Sequence, residues 1–92
     1  MKKFGNVSIN MVKTGENIRL LRTRAGIRVA DLQRVFGFSS PQAIYKWQRG
    51  ETLPSMDNMV ILALVLGVSI EDILAVNGLD ACDNSAEFSL AA

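Results

Sequence analysis

The sequence predicts an all-α fold: one compact domain of five short helices, with a flexible N-terminal arm before it and a C-terminal tail after it. Three observations carry this. Apolar residues recur at helical spacing from about Glu16 onward, a glycine closes nearly every such stretch, and only two to six residues separate one stretch from the next. With 92 residues there is room for a single small core. The expected division is an arm over 1–13, a helical domain over 14–77 and a tail over 78–92.

In residues 1–13, Val7, Ile9 and Met11 alternate weakly. A short strand would fit that alternation, but a mobile arm is the stronger reading. The first helix is read from about Glu16, with Ile18, Leu21 and Ala25 on one stripe, Arg19, Arg22 and Arg24 riding on it, and Gly26 ending it. The second runs from about Val29 to Phe36, with Val29, Leu32 and Phe36 on one face, and stops at Gly37. Ser40 followed by Pro41 signals the start of the third. The serine can accept from orphan N–H groups and proline at the first position gives up no needed donor, so this helix spans about Pro41 to Arg49 and Gly50 closes it. Pro54 and Ser55 open the fourth, Met56 to Leu66, ended by Gly67. Ser69 with Asp72 three residues on is a capping-box spacing for a fifth, Ile70 to about Val76. Beyond Asn77 the stretch GLDACDNSAEFSLAA has little periodicity and is expected to be disordered.

The formal net charge of +1 conceals a division. Residues 1–50 hold ten basic and two acidic groups, whereas residues 51–92 hold no basic and seven acidic groups. Such a split points the first half at a polyanion. The carboxylates of the second half read as a solvated face, one that would help turn the basic half toward such a partner. Glu71 and Asp72 do not make an acid/base pair, since adjacent helical residues point about 100° apart. The chain has no histidine and a single cysteine, Cys82, which removes imidazole triads, histidine metal sites and multi-cysteine zinc or disulfide frameworks. No enzymatic activity, cofactor or metal is expected. The longest apolar run, Met59 to Val68, has half the ~20 residues a bilayer requires, and MKKFGNVSIN lacks the apolar core of a secretory signal. A cytoplasmic protein is expected.

Chemistry concentrates on the third helix. On a helical wheel Ile44, Trp47 and Ser40 point to the core, while Gln42, Tyr45, Lys46 and Arg49 share the opposite side within an arc of about 100°. A face of this composition offers donors and acceptors to base edges and two cations to phosphate or guanine, with no carboxylate to repel the backbone of a nucleic acid. A merely solvated helix is the plain alternative; a tyrosine among cations in a basic half-chain weighs against it.

On these residues the chain resembles the Cro/repressor type of helix-turn-helix proteins, the XRE family. The resemblance runs from about Gly15 to Val76 through Ile18, Leu21 and Arg22, then Gly26, Leu32 and Gly37, then Ile44, Trp47 and Gly50, and closes with LPSMDNMVILALVLGVSIEDIL. It implies a sequence-specific transcriptional regulator, a repressor in the first place, whose third helix enters the major groove of double-stranded DNA at the nucleoid. It implies a homodimer reading half-sites about 34 Å apart. Gln42, Tyr45, Lys46 and Arg49 are then the base contacts, and Arg22, Arg28, Ser40 and Thr52 the phosphate contacts.

Several positions depart from the family pattern. Val29 stands where a phosphate-binding glutamine is common, leaving Arg28 at the helix N-terminus as the substitute. Gln33 replaces a small residue, and the turn FSSPQAIYKW is one residue longer than usual, so the two changes are expected to compensate. Gln48 replaces the glutamate that pairs with Arg22 in relatives, so the pair is expected to become a hydrogen bond without charge neutralisation, leaving Arg22 more positive and freer to contact phosphate. Glu51 replaces a lysine; it either repels phosphate or becomes the partner of Arg22.

The fourth helix is apolar all round. Met59, Leu62, Ala63 and Leu66 form its inner face, which leaves Val60, Ile61 and Leu64 outward, where relatives often have lysine at the last two positions. A dimer interface formed by Val60, Ile61 and Leu64 is the leading reading. The competitors are cover by the fifth helix or by tail residues such as Leu79, Phe88 or Leu90, and a different protein partner, as in an antitoxin or anti-repressor. The ending Leu90, Ala91, Ala92 resembles the tag that bacterial energy-dependent proteases recognise, which would make such a protease a further partner.

Overall fold

The computed structural model describes residues 7–78. The expectations for Leu79, Cys82, Phe88 and the Leu90, Ala91, Ala92 ending lie outside the described residues, as do positions 1–6. Seven elements follow one another: β1 (Ser8–Ile9), α1 (Met11–Arg24), α2 (Val29–Phe36), α3 (Gln42–Arg49), α4 (Met56–Leu66), α5 (Ile70–Ile73) and β2 (Val76–Asn77).

Helix α1 starts at Met11, five residues before the apolar periodicity begins, because its first turn buries no large side chain. Asn10 caps it, the side-chain oxygen accepting from Lys13 N at 2.9 Å. Thr14 and Gly15 are the buried residues of that turn, and neither registers on an apolar wheel. Gly15 lies against the end of α3: a Cβ there would fall on Trp47 O and within 2.6 Å of Gln48 O. Gly50, at φ +76°, ends α3 in a left-handed conformation, and a Cβ on it would sit 2.8 Å from Val12 Cα. Two glycines thus let the backbones of α1 and α3 approach closely, so α1 sets where α3 lies.

Within the stretch expected to be a mobile arm, residues 8–10 pair with the other end of the domain and residues 11–13 form the first turn of α1. Strand β1 runs antiparallel to β2, Ser8 opposite Asn77 and Ile9 opposite Val76. Asn10 N donates to Ala75 O at 2.8 Å, Ala75 N donates to the Thr14 hydroxyl at 3.0 Å, and Asn17 Nδ2 donates to Ile73 O at 3.0 Å. These bonds explain why α5 stops at Ile73 instead of continuing to Val76. Side chains of α1 and the Asn10 backbone use the groups that a further helical turn would have needed, and Leu74 turns extended at ψ 135°. The start of α5 follows expectation, with Ser69 N donating to Asp72 Oδ2 at 3.0 Å and Asp72 N to Ser69 Oγ at 3.2 Å.

One core joins all five helices: Ile18, Leu32, Ile44, Trp47, Met59, Leu62, Ala63, Leu66 and Ile73. Helix α4 has the predicted bounds, capped by Ser55 Oγ accepting from Asn58 N at 3.2 Å and closed by Gly67. Its inner face is the predicted Met59, Leu62, Ala63 and Leu66.

Candidate nucleic-acid interface

Helix α3 is held from behind by groups that leave its outer face free. Ile44 and Trp47 are buried, as their spacing predicts. Under the turn that leads into α3, Phe36 and Phe38 stack at 5.2 Å between ring centroids, and both meet the Trp47 ring edge-on, at 5.3 and 5.9 Å. Phe36 points inward as its helical spacing predicts, whereas Phe38, outside any helix, carries no such signal. Gln33 donates from Nε2 to Phe38 O at 3.2 Å, so the large residue in α2 serves the long turn that accompanies it. Arg22 fastens the other end: Nε donates to Gln48 Oε1 at 2.9 Å and Nη1 to Ile27 O at 3.0 Å. The glutamine predicted as its partner is the partner. Arg22 is half-buried and committed to these two acceptors, which makes it a positioning residue for α3.

The outer face of α3 carries Gln42, Tyr45, Lys46 and Arg49, all exposed, Tyr45 by 40%. Ser40 is a correction. The wheel turned it inward as the helix cap, but α3 begins one residue later, Pro41 is the N-cap, and Ser40 is exposed with only a 3.5 Å contact from Gln42 N to its hydroxyl. The wheel angle does not apply to a residue outside the helix. Ser40, Gln42, Lys46 and Thr52 instead line an open hollow of about 350 Å³ together with Phe38, Ser39 and Ala43.

Two of the expected cationic contacts have carboxylate partners. Arg49 pairs with Glu51 through Nε and Oε2. Glu51 is therefore the partner of Arg49 and not of Arg22. The hydrogen bond from Arg49 holds the Glu51 carboxyl below its ordinary value, and the charges of Arg49 and Lys46 act in the same direction. Arg28 grips Asp31 with two nitrogens, Nη2 to Oδ1 at 3.1 Å and Nε to Oδ2 at 3.3 Å, while its backbone N donates to Oδ2 at 2.9 Å. Those side-chain and backbone bonds lower the Asp31 pKa, and the side-chain bond raises that of Arg28. The i,i+3 spacing was a readable signal for this second pair.

A different exposed face belongs to α4. Val60, Ile61 and Leu64 are exposed, Leu64 by 76%, with Met56 at the end of the same stripe. Helix α5 packs against α4 without covering them.

The sequence matches the Helix-turn-helix family model over residues 18–73. No curated protein sequence matches it. Among solved structures the fold is similar to the restriction-modification controller protein C.AhdI from Aeromonas hydrophila, at 26% identity and a TM-score of 0.62, over 70% of this chain and 96% of that one. It is also similar to the DNA-binding domain of BldD, at 20% identity and a TM-score of 0.60, over 71% and 93%. The S. venezulae BldD DNA-binding domain gives the same identity and score over 71% and 96%.

Proposed function

The chain belongs to the helix-turn-helix family, and from that premise we propose that it is a sequence-specific DNA-binding transcription regulator, acting as a repressor, that places α3 in the major groove. The observation that carries the reading is the outer face of α3: Gln42, Tyr45, Lys46 and Arg49 exposed together on a helix whose other side is locked by Trp47, Arg22 and the close approach of α1. Such rigidity is what base readout needs, because hydrogen bonds to base edges tolerate little displacement. The 26% identity to a restriction-modification controller protein supports a regulatory role.

Contacts divide by position. Gln42, Tyr45 and Lys46 read bases. Ser40 and Thr52, on the rim of the hollow beside Gln42 and Lys46, meet phosphate, and Arg28 joins them after exchanging Asp31 for a phosphate oxygen. Arg49 does the same with Glu51, and Arg22 acts through Gln48. The protein works as a homodimer through Val60, Ile61 and Leu64, in the cytoplasm at the nucleoid. No helix among the described residues is long and apolar enough to cross a membrane. The same patch carries the second reading, a protein-interaction module such as an antitoxin, with Leu64 as its most exposed anchor.

Selection of the full chain on a randomised duplex library tests the main reading. A recovered consensus is expected, with log K falling steeply against log salt. Lys46→Ala should weaken binding to that duplex or relax the preference at one position, by about 1–3 kcal/mol for a base contact. Absence of salt-dependent duplex binding would overturn the proposal.

A further inference from the structure

We propose that Glu51 is a selectivity residue: it holds Arg49 away from phosphate on arbitrary DNA, and releases it only where α3 finds matching bases. The inference rests on the DNA-binding reading above and deepens it. Each of the three carboxylates in positions 7–55 sits near a cation, Glu16 by Lys13, Asp31 by Arg28 and Arg34, and Glu51 by Arg49. Glu51 differs from the others in where it stands. Its partner is the last residue of the reading helix, and Lys46, one turn back on the same outer face, also acts on its charge. A single negative group is therefore set among the two cations of that face.

The pair is built to exchange. Arg49 and Glu51 are about half-exposed, at 54% and 50%, so solvent and a phosphate can both reach the guanidinium. A salt bridge of that exposure contributes little to the fold. Opening it in front of DNA has a different cost. Once Arg49 turns to a phosphate, the Glu51 carboxylate is left beside a polyanion with its charge unmatched, and like charges in close approach are repelled. On non-matching sequence nothing offsets this, so the protein binds with one cation withdrawn. On matching sequence the contacts of Gln42, Tyr45 and Lys46 seat α3 deeply enough for the freed Glu51 carboxylate to accept from a cytosine amino group, so its charge is matched there and removing it gains little. Discrimination then comes from a penalty on the wrong site as much as from attraction to the right one.

Glu51→Gln tests this, keeping the shape and removing the charge. Binding of the full chain is measured on two probes, a 30-bp duplex of random sequence and the best duplex recovered by selection. The random duplex should be bound about tenfold more tightly by the variant, with a salt slope steeper by about one unit as a further phosphate is engaged. Binding to the selected duplex should change by less than about threefold, so that the ratio between the two probes falls. Adding Arg49→Ala to Glu51→Gln should abolish the gain on random DNA, which a mere loss of repulsion would not do. Thermal stability should be the same in all variants, because the pair is exposed. Equal tightening on both duplexes, an unchanged random-duplex affinity, or a gain that survives Arg49→Ala would each overturn the proposal. Failure of the unmodified chain to bind any duplex would instead be failure of the DNA-binding reading, and the role of Glu51 would fall with it.

Discussion

Helices α3 and α4 are both short, both end at a glycine in the left-handed region, and both bury one face in the same core, yet their outer faces have opposite chemistry. The outside of α3 is Gln, Tyr, Lys and Arg; that of α4 is Val, Ile and Leu with Met56. The inner faces account for stability in both. What separates them is what each outer face can meet: water-exchangeable hydrogen-bond groups suit a polyanion whose edges are polar, whereas an apolar stripe gains only by leaving water. On the function proposed above, two interactions are sorted onto two helices, a polar one on α3 and an apolar one on α4.

Changes on the inner faces should have the largest effect and should not distinguish the helices. Trp47→Ala, which removes the ring at the centre of the aromatic cluster, is expected to lower stability by about 3–5 kcal/mol, and Leu62→Ala by about 2–5 kcal/mol, both read from chemical denaturation. Leu64→Ala, two positions along the same helix from Leu62, sharpens the contrast. Leu62 is fully buried and Leu64 is 76% exposed in the single chain, so at protein concentrations too low for self-association the second substitution should change stability by less than about 0.5 kcal/mol.

The outer faces come next. The double substitution Ile61→Lys with Leu64→Lys should give a monomer by light scattering with the helical content unchanged. A dimer of unaltered size would remove α4 as the self-association surface and favour the second reading of its patch. Smallest is a pH effect in the α2 region. Asp31 has its folded pKa lowered by the bonds from Arg28, so its contribution is present above the unfolded carboxylate value and is lost as pH falls through the lower, folded one. Melting temperature should therefore dip slightly more between pH 5 and pH 2 in the native chain than in Asp31→Asn.

How far this contrast could be read beforehand varied with the range of the interactions. Helix α4 was legible to the residue, since Ser55, Gly67 and the wheel positions of Leu62 and Leu66 are all local signals. The same holds for the outer face of α3. The first turn of α1 was not legible, because its buried residues, Thr14 and Gly15, carry no apolar signal. Nor was the end of α5, where Thr14 and Asn17 reach across 56–61 positions of sequence to bond Ala75 and Ile73. The partner of Glu51 was missed for a related reason. A residue just past a glycine turn has several cations within reach, and only the path of the loop decides that it meets Arg49.

The sorting of interactions onto two helices is tested most directly by backbone amide shifts of the full-length protein titrated with the selected duplex. Perturbations centred on Gln42, Tyr45, Lys46 and Arg49, with Val60, Ile61 and Leu64 unmoved, are the predicted result. Perturbations centred on α4, with the outer face of α3 unmoved, would contradict it.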